Sequence, residues 1–81
     1  IGTLNEDLRF EREAFGLCDR WPFYAAKTLV DDTGRRLLFG WLNEERSKEA
    51  QIEAGWSGII SLPRVVTLGA NGRPHFAPPP E

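Results

Sequence analysis

Residues 23 to 42 constrain the fold of this chain more than any other stretch. They read Phe-Tyr-Ala-Ala-Lys-Thr-Leu-Val, then Asp-Asp-Thr-Gly, then Arg-Arg-Leu-Leu-Phe-Gly-Trp-Leu. Two runs of β-type residues flank a turn, and the turn's glycine stands where a positive φ is needed. The pattern predicts an antiparallel hairpin with arms at 23–30 and 35–42. A second hairpin is centred on Asn71-Gly72, with arms at 65–68 and 75–77. Shorter strands are expected at 1–4, at 8–13 from the alternation of Leu8 and Phe10 with Arg9 and Glu11, and at 56–62. Residues 43–54 differ: four glutamates surround only Ala50, Ile52 and Ala54, too thin an apolar stripe for a buried helix. A solvated loop or a short surface helix is expected there. The sum is an all-β chain of antiparallel hairpins whose edges need covering, as in a sandwich, barrel or propeller.

The chain's 81 residues allow one domain at most, and a core of that size is marginal. Hydrophobic residues make up 41% and charged residues 27%, a balance that folds rather than staying disordered. Cys18 is alone, so no disulfide can staple the fold. Ten basic and twelve acidic residues are interspersed without a basic face, which argues against nucleic acid as a partner. Every apolar run falls far short of the roughly 20 residues that span a bilayer, so no membrane partner is expected. The sequence holds no Met and begins at Ile1, which reads as a segment of a longer chain. Localisation stays open between extracellular and cytoplasmic.

Gly40-Trp41 at the end of the first hairpin is the leading functional candidate. A glycine beside a strand-end tryptophan lets a ring approach the backbone, and the indole face packs on the C–H groups of a sugar. Trp56, in Gly-Trp-Ser-Gly, offers a second such wall. From these residues alone, a free-standing small β module binding carbohydrate or peptide is one reading. His75 is the only histidine and has no partner at ligand spacing, so neither a metal nor a cofactor is expected.

Four blocks in order carry a more specific likeness. Asp19, Phe23, Tyr24, Ala25 and Lys27 match the pattern Asp-x-Gly-x-Phe-Tyr-Ala-x-(Gln/Lys). Arg36, Leu38, Gly40 and Trp41 match a block that ends in Gly-Trp. Gly55, Trp56, Ser57 and Gly58, then Ser61, Leu62, Pro63 and Arg64, match Gly-Trp-(Ala/Ser)-Gly followed by Ser-(Leu/Ile)-Pro-Arg. On these residues the chain resembles glycoside hydrolase family 32, the invertases, levanases, inulinases and fructan β-fructosidases, over nearly all of its length.

That resemblance implies a five-bladed β-propeller, with residues 1–81 forming part of its later blades and the rest of the parent propeller as partner. It implies retaining hydrolysis of sucrose or fructan by two carboxylates about 5–5.5 Å apart. The family's nucleophile, acid/base and stabiliser lie in Trp-Met-Asn-Asp-Pro-Asn-Gly, Glu-Cys and Arg-Asp-Pro motifs. None occurs here, so no catalytic residue is expected in the chain. The implied substrate-binding residues are Trp41, as a wall of the fructose pocket, and Asp19, as an acceptor for hydroxyls on the leaving-group side. Tyr24 and Glu44 are further pocket candidates, weighed against packing for Tyr24 and plain solvation for Glu44. Trp56 is expected between blades, and Arg64 is expected to pair bidentately with a carboxylate and lock two blades. Two departures stand out: Trp21 replaces the usual glycine, and Pro22 stands where some plant members carry a charged residue near the leaving group.

Overall fold

The computed structural model describes residues 1–81. Strand β1 (Gly2–Leu4) pairs antiparallel with β2 (Phe10–Arg12) in a separate two-stranded ribbon. Asn5 closes the ribbon's loop, its Oδ1 accepting from the Arg9 backbone N–H at 2.9 Å. The main sheet contains β3 (Phe23–Val30), β4 (Arg36–Leu42), β5 (Ile59–Ile60), β6 (Arg64–Leu68) and β7 (Pro74–Ala77).

Its order is β3-β4-β6-β7, and β5 shares the β6 side of β4. All pairings are antiparallel, as the two turns demand. At the first turn the Asp31 carboxylate does the work: Oδ1 accepts from Thr33 N, Thr33 Oγ1 and Arg35 N, and Oδ2 accepts from Arg35 Nε at 2.8 Å. Gly34 takes φ 85°, the left-handed conformation expected of it. Arg35 also reaches the Glu81 carboxylate with both terminal nitrogens, tying the turn to the chain's last residue.

One expectation changes, and one is resolved between its two alternatives. The strand expected at 56–62 shrinks to Ile59–Ile60. Gly58 bends the backbone at φ 66°, and Pro63 has no N–H to continue the ladder. Buried Ser61 fills the gap: its backbone N–H donates to Gly40 O at 2.7 Å, and its Oγ accepts from Gly40 N at 3.0 Å. The charged excursion resolves into a short surface helix, α1 (Lys48–Ala54), with no buried residue. Ser47 Oγ caps its start by accepting from Ala50 N, and Gly55 closes its end at φ 79°.

Register assigns the faces. Phe23, Leu38, Leu42 and Arg64 share one face, while Tyr24, Leu37, Phe39, Trp41 and Val65 share the other. Leu38, 5% exposed, is the one buried hydrophobic side chain. Gly40, buried on the same face, has the Phe23 ring so close over its backbone that a Cβ there would collide with it. A bulge at Ala25–Ala26 interrupts the β3–β4 ladder, and Ala25 adopts φ 51°.

The molecule measures 50 × 30 × 23 Å, with a radius of gyration of 16.3 Å. A compact chain of this length has about 12 Å. Its accessible surface is 6824 Å², against about 4,900 Å² for an ordinary monomer of its mass. Both faces of the sheet therefore remain largely uncovered by the chain's own residues.

Candidate functional site

The end of the sheet opposite the Asp31 turn gathers the chemistry. Tyr24 and Trp41 are register partners on adjacent strands and project from the same face. They are 59% and 41% exposed, so two aromatic rings stand side by side with solvent access. The edge of the Trp41 indole rests on Gly58, where a Cβ would strike Nε1. Glycine at this point is required twice over, by the close approach and by the positive φ.

Glu44 is not a freely solvated loop residue. Its side chain is 11% exposed, and Arg46 wraps around it. Oε1 accepts from Arg46 N and Arg46 Nε at 2.8 and 2.9 Å; Oε2 accepts from Arg46 Nη2 at 2.7 Å and Gly58 N at 3.0 Å. A carboxylate offers about four lone-pair sites, and all are taken. The Arg46 side chain, then the Gly58 N–H, hold this carboxyl far below the usual range. The Arg46 guanidinium meanwhile sits 3.9 Å from the Trp56 ring centroid and donates to Trp56 O at 3.1 Å. Trp56 thus keeps one face under Arg46 and the rest of the ring exposed. A groove of about 410 Å³ lies against this loop, bounded by Pro22, Asn43, Glu45 and Ile59 among others.

Asp19 lies elsewhere. Its Oδ2 accepts from Arg64 Nη1 at 2.5 Å and its Oδ1 from Arg20 N at 2.7 Å. These two contacts, the Arg20 N–H first, lower its pKa. Arg64 also stacks 4.8 Å from the Phe23 centroid, so Asp19 belongs to the Phe23 face and Trp41 to the opposite one. Arg64 does find a carboxylate, through a single nitrogen and within this chain. The hairpin pattern brings Tyr24 and Trp41 to one end, but it gives no sign of Arg46. An arginine two residues from a glutamate has no pattern of its own, and the Gly-Trp-Ser-Gly block marks Gly58 without showing that it supports the indole.

The five-stranded antiparallel sheet, with β3-β4-β6-β7 as its continuous path, has the hairpin-by-hairpin order of a propeller blade. The profile of the glycosyl hydrolases family 32 N-terminal domain matches residues 1–78. The chain belongs to that family, and its antiparallel hairpins form part of a five-bladed β-propeller. It is 45% identical over 56 residues to a fructan 6-exohydrolase of Beta vulgaris, covering 68% of this chain and 9% of that protein. It is 42% identical over 69 residues to an insoluble β-fructofuranosidase isoenzyme of Arabidopsis thaliana, covering 83% of this chain and 12% of that protein. The crystal structure of fructan 1-exohydrolase IIa from Cichorium intybus superposes with a TM-score of 0.82 at 32% identity, over 95% of this chain and 17% of that one. The chain therefore spans about a tenth of the length of the curated relatives it matches.

Proposed function

We propose that the protein carrying this chain is a β-fructosidase that hydrolyses sucrose or fructan with retention of configuration. The family match over residues 1–78 carries this reading and takes the place of the free-standing-module expectation. Relatives named as β-fructofuranosidases and fructan exohydrolases support the substrate class. Residues 1–81 supply part of the later blades, and neighbouring blades cover the open faces.

The chain's own share is binding and orientation. Trp41 and Tyr24 offer adjacent ring faces for a furanose, excluding water from one side of it. Asp19, held ionised by the Arg20 N–H and by Arg64 on the opposite face of the sheet, supplies no contact to a ring stacked on Trp41. Glu44, its acceptor sites filled, shapes the pocket through the backbone it holds. Neither acid can donate a proton near neutral pH, because arginine keeps both ionised and an acid catalyst needs the opposite shift. The reactive acids belong to the remainder of the parent chain.

Assay of that parent with sucrose, levan and inulin tests the reading. Released fructose is expected, initially as the β-anomer. No fructose from any of the three, or release of the α-anomer, would overturn it.

A further inference from the structure

We infer that Glu44 and Arg46 form a positioning clamp that sets the Trp41 indole through Gly58; the kinetic part of this inference rests on the proposed sugar-binding role of Trp41. The contacts run without a gap. Arg46 fills three of the four acceptor sites of Glu44, and Gly58 N fills the fourth. Gly58 in turn is the surface against which the Trp41 edge lies.

The clamp is closed from its other side as well. Arg46 donates to Trp56 O and covers the Trp56 ring, while its own carbonyl accepts from Gln51 Nε2 at 2.9 Å. Gln51 Oε1 accepts from Ser57 Oγ at 2.8 Å. Residues 44 to 58 thus form a loop whose ends are locked to one carboxylate. Only one position of Gly58 satisfies the Glu44 bond, and that position decides where the indole can stand. Lysine cannot substitute for Arg46, because a point charge cannot serve Glu44 and the Trp56 ring at once. Neither clamp residue needs to touch sugar to alter how sugar binds.

The test uses the intact parent protein labelled with ¹⁵N-tryptophan. The Trp41 indole N–H resonance is assigned by its loss in Trp41→Phe. Arg46→Met is expected to move and broaden that resonance, and Arg46→Lys to leave it displaced. Kinetically, Arg46→Met should raise KM for sucrose or fructan about fivefold with kcat changed less than about threefold. In a Trp41→Ala background the same substitution should add nothing, since it acts through the indole. Gly58→Ala is a second route to the same KM signature, because its Cβ displaces the indole while leaving Glu44 and Arg46 paired. An unmoved Trp41 resonance in Arg46→Met overturns the clamp, and so does full additivity with Trp41→Ala. If the wild type hydrolyses no fructoside, the proposed function fails by itself, and the indole resonance still decides the clamp.

Discussion

At the scale of single residues, the aromatic pair and the bound carboxylates divide the labour. Removing the indole in Trp41→Ala takes away one of the two exposed rings paired across β3 and β4. A sugar-stacking ring is worth on the order of 1 kcal/mol, so KM for the parent's substrate should rise about fivefold while kcat changes less. Steady-state kinetics of the intact parent check this, and an unchanged KM would remove Trp41 from the pocket. Asp31 makes a separate prediction about pH. Its pKa is lowered to about 2, chiefly by the Arg35 side chain with the backbone and Thr33 donors behind it. A carboxyl depressed in the folded state stabilises above its unfolded value, near 3.9, and that contribution is lost as pH falls toward about 2. The Asp31 turn should therefore loosen between those pH values, read as exchange protection of the Arg35 amide. Asp31→Asn should remove the Asp31 share of this pH dependence and leave only that of Glu81, the other carboxylate paired with Arg35.

Among the elements, the β3–β4 hairpin presents the proposed ring pair, while α1 reaches the neighbouring loop through the Gln51 side chain. Gly40 must remain without a side chain for Phe23 to cover the sheet. Gly40→Val should cost on the order of 1–3 kcal/mol through displacement of that ring, measured as a lowered denaturation midpoint of the parent. Ser47→Ala removes the α1 cap at a local cost of about 1 kcal/mol. Since α1 buries nothing, its amides should exchange faster while global stability barely moves. The hairpin arms were legible beforehand because alternation and turn chemistry are local properties of Phe23–Val30 and of the Asp31–Gly34 turn. The bulge was not. By plain alternation Lys27 would share the face of Phe23, yet the extra residue at Ala25–Ala26 puts it opposite Phe39, on the face of Tyr24 and Trp41. The truncation of the expected 56–62 strand escaped notice for a similar reason. Ile59 to Leu62 have good strand propensity, and only the neighbouring strand shows that Ser61, not a continuing ladder, meets Gly40.

The whole molecule is a sheet with too little of itself around it. One buried hydrophobic side chain and an excess of exposed surface leave the sheet short of a core of its own, which the proposed neighbouring blades would complete. The isolated 81-residue polypeptide is expected to show no cooperative thermal transition by circular dichroism and to bind a hydrophobic dye. A sharp, reversible transition would contradict the assignment of its faces to neighbouring blades. What the sequence determined alone is the set of strands, the two turns and the family, because each is written in residues close together along the chain. Only the tertiary structure decided that Glu44 is fully bonded, that Gly58 supports the indole and that Asp19 faces away from Trp41. Those facts depend on which distant residues meet, and register and bulges set that, not local propensity.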